Sequence, residues 1–143
     1  MRSDRTGVRV LVVEDDEAVR TLLLTRLDLA GYRTSHAADG WKALLAMQEF
    51  RPDGVILDVN MPGLDGFGVL ETKQTRGAIK DIPVMMLTAR QAPTDIRRAL
   101  GLGAKDYLAK PFDDQQLLAR VARLVRKKRT PPPPPPADDR WAI

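Results

Sequence analysis

Four stretches of this chain carry side chains that could do chemistry together: the acidic run Glu14-Asp15-Asp16-Glu17, then Asp58, Thr88 and Lys110. The set offers carboxylates, a hydroxyl and an amine. Cysteine is absent, and the one histidine, His36, has no nucleophile beside it. Carboxylates without His or Cys make a hard-oxygen site suited to Mg²⁺, which prefers octahedral oxygen ligands, keeps some waters and bridges to phosphate. A hydroxyl and an ammonium are fitting partners for phosphoryl oxygens, and a carboxylate can itself be the nucleophile that becomes an aspartyl phosphate. The chemistry these residues spell is phosphoryl transfer onto Asp58, with Thr88 and Lys110 collecting the oxygens of the incoming group. Singly, each is ordinary: Asp58 and Thr88 could be turn residues and Lys110 a solvated surface charge. The elements that position them decide the matter.

Val10-Leu11-Val12-Val13, within a strand expected over residues 8–13, runs into the four acids. A continuous apolar run of this length reads as a strand buried on both faces. Capping and first-turn placement explain one or two of the acids. Four against a buried strand end repel one another, and a cation would relieve that repulsion. Val19, Leu22, Leu23 and Leu27 then recur at helical spacing to about residue 29, where Gly31 stops the helix. Residues 33–37 make a weaker strand containing His36. Asp39-Gly40 opens a helix on which Trp41, Leu44, Leu45 and Phe50, with Met47 beside them, read as a core-packing face.

Val55-Ile56-Leu57 runs straight into Asp58, and the Asn, Pro and Gly residues of 60–66 turn the chain. A helix follows over residues 67–75, with Val69 and Leu70 inward. A further buried strand spans 82–87 and ends in Thr88, with Pro83 tolerated near its start. Pro93 begins a helix over 94–100. Residues 105–109, which include Tyr107, form a short fifth strand ending at Lys110. Asp113 or Asp114 then caps a helix with Leu117, Leu118, Val121, Leu124 and Val125 on its apolar side. Five strand–helix units in alternation predict an α/β fold with a doubly wound parallel sheet and helices on both faces. In such a sheet the strand ends share one edge, where ligands bind. That edge receives Glu14, Asp15, Asp16, Asp58, Thr88 and Lys110.

Composition bounds the alternatives. A chain of 143 residues suits one domain with a real core, and 43% hydrophobic and 29% charged residues are ordinary for a soluble protein. Without cysteine there is no disulfide framework or thiolate metal site. The polar N-terminus lacks a secretion signal and no apolar run approaches a membrane span, so the expected localisation is cytoplasmic. The net charge of +4 is uneven: residues 1–114 hold 16 Lys/Arg against 17 Asp/Glu, and residues 115–143 hold 7 against 2. The excess points to an anionic partner for the end of the chain.

The segments Val12-Val13-Glu14-Asp15-Asp16, residues 57–66 around Asp58, Leu87-Thr88-Ala89 and residues 103–112 around Tyr107 and Lys110 resemble the receiver domain of two-component response regulators of the chemotaxis type. The match covers residue 8 to about 127. The resemblance implies a flavodoxin-like sheet in the order 2-1-3-4-5, an order for which the chemotaxis receiver is itself a standard example. It implies Asp58 as phosphoacceptor, Asp15, Asp58 and the Asn60 backbone carbonyl as direct Mg²⁺ ligands, and Glu14 acting through a water where the family usually has Asp. Thr88 and Lys110 would hold the phosphoryl group, and Tyr107 matches an aromatic that rotates as Thr88 moves. Asp16 would be a helix cap and Lys110-Pro111 a cis peptide. The implied partners are a histidine kinase or phosphotransfer protein as donor and a downstream protein target. No enzymatic turnover is expected beyond self-catalysed phosphoryl transfer and autodephosphorylation.

The receiver is expected over residues 1–129, leaving a proline-rich tail at 130–143. Arg120, Arg123, Arg126, Lys127 and Arg129 make the last helix basic, and Pro131 to Pro136 form a polyproline spacer before Arg140 and Trp141. Arginine reads guanine edges and phosphates, and Trp stacks on bases. The tail is similar in composition to a chemotaxis-type subgroup that binds cyclic di-GMP through an arginine-rich extension. No DNA-binding domain is expected in the sequence; the alternative is a receiver fragment of a longer regulator whose tail is only a linker. An aspartate-nucleophile phosphatase of the haloacid dehalogenase type is disfavoured, because Asn60 stands where such an enzyme has its second, acid/base Asp.

Overall fold

Alternation within the strands decides where each helix packs. The computed structural model describes residues 7–89 and 92–126. Among them run β1 (Arg9–Val13), α1 (Glu17–Leu29), β2 (Arg33–Ala37), α2 (Gly40–Phe50), β3 (Gly54–Asp58), α3 (Gly66–Lys73), β4 (Val84–Thr88), α4 (Pro93–Gly101), β5 (Asp106–Ala109) and α5 (Asp114–Leu124). The sheet has the order β2-β1-β3-β4-β5 with every neighbouring pair parallel. Successive side chains of a strand point to opposite faces. Leu11, Val13, Val55, Leu57 and Met86 therefore enter one core, with Ala43, Leu44 and Met47 of α2, Phe67, Val69 and Leu70 of α3, and Ala99 of α4. Val10, Val12, Ile56, Met85 and Leu87 enter the other, with Leu23 and Leu27 of α1 and Leu117, Val121 and Leu124 of α5. Each fully buried aliphatic side chain contributes roughly 1.5–3 kcal/mol. This is the five-stranded, doubly wound arrangement expected of the sequence. Among the described residues no helix is long and apolar enough to cross a membrane.

Caps fix where the helices begin. Asp16, Asp39, Asp65 and Asp113 each accept a backbone N–H of the first turn, from Val19, Lys42, Gly68 and Gln116 respectively. The Gln116 side-chain carbonyl in turn accepts the Asp113 backbone N–H, closing a capping box. Asp16 is thus the cap that the resemblance implied, and Asp113 is the cap of α5.

Two expectations need correction. On α2, Trp41 is 61% and Leu45 53% exposed, and the buried face is Gly40, Ala43, Leu44 and Met47. The helix docks through Gly40, where a Cβ would collide with the backbone of Leu64; that close approach turns Trp41 outward. Element ends also shift: β4 starts at Val84 rather than 82, since Pro83 has no N–H to give, and α3 ends at Lys73 rather than 75. His36 lies exposed on the edge strand β2.

Candidate functional site

Parallel strands bring their carboxyl ends to one edge. Val13 is in register with Leu57, Asp58 with Leu87, and Thr88 with Ala109. Glu14, Asp58, Thr88 and Lys110, spread over 97 residues of chain, therefore share that edge. The Glu14 N–H donates to the Ala37 carbonyl (3.1 Å) and the Lys110 N–H to the Thr88 carbonyl (2.9 Å), so the residues beyond β1 and β5 stay tied to neighbouring strands.

The carboxylates are close and mostly buried. Oxygens of Glu14, Asp15 and Asp58 lie within 4.8 Å of one another, with Asp15 exposed and the other two buried. The Lys110 ammonium reaches both buried acids, at 3.2 Å from Glu14 Oε1 and 3.5 Å from Asp58 Oδ1. Burial, then repulsion from Asp58, pushes the Glu14 carboxyl up from 4.5 to about 7, against the pull of the Asp16 N–H and Lys110. Burial likewise raises Asp58, opposed by Lys110, Glu14 and the Asn60 backbone N–H that donates to it. Burial alone would lower Lys110; Asp58 and Glu14 override it and hold the amine protonated. Two buried carboxylates share one ammonium beside a third, exposed carboxylate, and this all-oxygen donor set with an excess of negative charge fits a hard divalent cation.

Thr88 is fully buried at the end of β4, and Tyr107 is half-buried in register with Met86, two residues before Thr88. The Lys110-Pro111 bond is cis. Lys110 sits closer to Glu14 than to Asp58, a contact spanning 96 residues that no local pattern announces.

Two residues at the site were not singled out from sequence. Arg20 Nη1 donates to the carbonyls of Glu14 (2.8 Å) and Asp15 (3.4 Å) and so braces the acidic loop. Its signal was positional, because a residue one turn into a helix points back over the N-terminus. Gly66 starts α3 against the Asp58 loop. Its N–H donates to the Val59 carbonyl (2.9 Å), and a Cβ there would stand 2.6 Å from the Asp58 carbonyl oxygen. The loop's run of Gly and Pro carried that signal.

At the other end of the sheet the basic stripe is already engaged. Arg120 bonds Asp106 at 2.8 Å and Arg123 bonds it at 3.1 Å. Asp106 opens β5 beside α5 and pairs with both guanidinium groups, which stay partly exposed, Arg123 the more so. Arg126 is exposed. Lys127, Arg129, Arg140 and Trp141 lie outside the described residues.

The family model described as the response regulator receiver domain matches residues 10–122. The response regulator MprA of Mycobacterium tuberculosis is 46% identical over 121 residues, which is 85% of this chain and 52% of that protein. MprA of Mycobacterium ulcerans is 45% identical over 121 residues, 85% of this chain and 51% of that one. The chain spans about half the length of the curated relatives it matches. Among solved structures, the chemotaxis response regulator CheY4 of Vibrio cholerae superposes with a TM-score of 0.78 at 35% identity, over 83% of this chain and 99% of that one. The receiver domain of a Pseudomonas aeruginosa sensor histidine kinase, solved with a magnesium ion coordinated in its active-site cleft, gives a TM-score of 0.77 at 31% identity, over 84% and 98% of the two chains.

Proposed function

The chain belongs to the response regulator receiver domain family of two-component signalling, and from that premise we propose that Asp58 accepts a phosphoryl group and that the modified domain switches its protein contacts. The observation that carries this reading is the buried Asp58 carboxylate, 3.5 Å from the Lys110 ammonium, inside the acidic cluster at the strand ends. A histidine kinase or phosphotransfer protein would supply the group. One Asp58 carboxylate oxygen forms the new P–O bond as the P–N bond of the donor phosphohistidine breaks, and the imidazole leaves with the electron pair. The Asn60 N–H and Lys110 hold the attacking carboxylate in place. Lys110 then moves its contact from carboxylate to phosphoryl oxygen, the Thr88 hydroxyl takes another, and Tyr107 follows Thr88 inward.

Glu14, Asp15, Asp58 and the Asn60 carbonyl are the groups that would hold Mg²⁺, Glu14 through a water. A bound magnesium ion neutralises the carboxylates and draws charge from the phosphoryl oxygens. Asp15, the exposed member of the set, would meet such an ion from the solvent side, and Arg20 keeps its backbone in place. Turnover beyond transfer to Asp58 and autodephosphorylation is not part of the reading; the output is a change in binding to a downstream target.

Acetyl phosphate with Mg²⁺ tests the assignment by intact mass. The wild type should gain one phosphoryl group and Asp58→Asn none, because an amide is a poor nucleophile. Equal labelling of the variant would defeat the assignment. We take residues 1–129 as the receiver and 130–143 as a tail. A cyclic di-GMP site on Arg120, Arg123, Arg126, Lys127, Arg129, Arg140 and Trp141 draws support from the charge excess of this segment, with Arg120 and Arg123 engaging a ligand in competition with Asp106.

A further inference from the structure

At the edge of the sheet opposite Asp58, the last residue of α3 is a lysine that the phosphoryl site does not use. Lys73 is 5% exposed at the end of α3. A buried charge is costly unless it is paired and hydrogen-bonded. Among the described residues Lys73 has one hydrogen-bond partner, the Lys80 carbonyl at 2.6 Å, and no carboxylate within ion-pair distance. An ammonium has three donors, so two remain. The negative end of α3 offsets part of the cost.

Lys73 lines a cavity of about 330 Å³ with Gln74, Lys80, Asp81, Ile82, Gly103 and Lys105. Its walls are fixed by hydrogen bonds. The Gln74 amide donates to the Leu102 carbonyl and closes the end of α3 onto the turn before β5. Gly103 holds that turn at φ +103, a conformation that L side chains rarely adopt. The Lys105 N–H bonds the Val84 carbonyl at 2.8 Å and the Ile82 N–H bonds the Ile79 carbonyl at 3.2 Å. Three lysines thus meet one carboxylate, Asp81, at a preformed cavity. Burial pulls the Lys73 amine below the usual lysine range, Asp81 opposes that and Lys105 adds to it, so an anion bound beside Lys73 would restore its charge. The missing element is an anion.

We propose that this cavity binds a tetrahedral oxyanion of the phosphate class, with Lys73 donating from the floor and Lys80 and Lys105 closing over it. The site lies at the amino ends of β4 and β5, across the sheet from Thr88 and Lys110. Its occupancy is therefore separable from phosphorylation of Asp58. Lys73 is the selective element: the ion that enters must take up the two donors that the protein leaves over.

The test is a titration of the ¹⁵N-labelled full chain with sodium phosphate, without magnesium, against sodium chloride at equal ionic strength. Phosphate should produce saturable amide shifts at Gln74, Gly103 and Lys105 that chloride does not. Lys73→Met keeps the apolar stem and removes the donors; it should weaken the response by about tenfold or more, the usual worth of a charge-assisted hydrogen bond. Lys105→Gln, at an exposed position, should weaken it less and keeps the test open should Lys73→Met fail to fold. Shifts confined to residues 14–16, 58–60 and 110, no saturable shift at all, or unchanged affinity in the variants would each overturn the proposal.

Discussion

Glu14→Gln should change how stability depends on pH. Glu14 is 2% exposed, and burial together with the Asp58 charge raises its carboxyl from 4.5 to about 7. Between those values the folded protein keeps a proton at Glu14 that the unfolded chain has released. Stability therefore falls as pH rises through that window, and the loss is complete above about pH 7. The gap corresponds to about 3 kcal/mol. Asp58, raised by the same burial, pulls in the same direction, so the observed step belongs to the pair. Glutamine keeps the shape and an acceptor for the Asp16 N–H and cannot ionise. Urea unfolding across the pH range, with chelator present, should show the variant gaining on the wild type by about 3 kcal/mol from acid to neutral pH. Magnesium should flatten the wild-type curve, since a bound divalent cation holds the carboxylates ionised at little cost. Parallel pH curves for the two proteins, or a variant that loses ground as pH rises, would refute the claim that Glu14 is held in an unfavourable charge state.

Lys110→Ala removes the cation at 3.2 Å from Glu14 and 3.5 Å from Asp58. It should cost about 1–3 kcal/mol at neutral pH, cost little where the carboxylates are protonated, and leave the phosphorylated protein unable to change its partner binding; normal switching in a pull-down would remove Lys110 from the mechanism. Gly66→Ala places a Cβ 2.6 Å from the Asp58 carbonyl oxygen; thermal unfolding should register about 1–3 kcal/mol and acetyl phosphate labelling should slow, and wild-type behaviour in both would show that the loop yields freely. Asp106→Asn removes the carboxylate charge that pairs with Arg120 and Arg123. If the basic end of the chain takes cyclic di-GMP, calorimetry should find tighter binding in that variant and none after deletion of residues 130–143. Equal heats before and after deletion leave the tail a plain spacer.

The comparison of α2 with β3 shows what could be read locally. In β3 the run Val55-Ile56-Leu57 is apolar at every position because both faces of the sheet are covered, so no choice of face had to be made. On α2 such a choice was needed. Two adjacent stripes, one with Trp41 and Leu45 and one with Leu44 and Met47, both offered apolar side chains. Trp41 is the larger hydrophobe, yet Gly40 docks, because the loop backbone at Leu64 approaches closer than any side chain permits. That approach comes from a segment 24 residues away, and the helix's own periodicity does not contain it.

The sequence by itself determined the alternation of strands and helices, the opening of α2 at Asp39-Gly40, an Asp cap at 113 or 114 on α5, and the strand ends at which Glu14, Asp58, Thr88 and Lys110 fall. Those features follow from residue-to-residue patterns, since backbone geometry repeats every two or 3.6 residues. Tertiary structure alone decided that Lys110 lies nearer Glu14 than Asp58, that Arg20 braces the acidic loop, that Asp106 takes two arginines, and that Lys73 is buried at a cavity lined by other lysines. Each of these contacts joins different elements. Strand order, register and helix docking set their distances, and a charge gains its meaning only from what those three bring within a few ångströms of it.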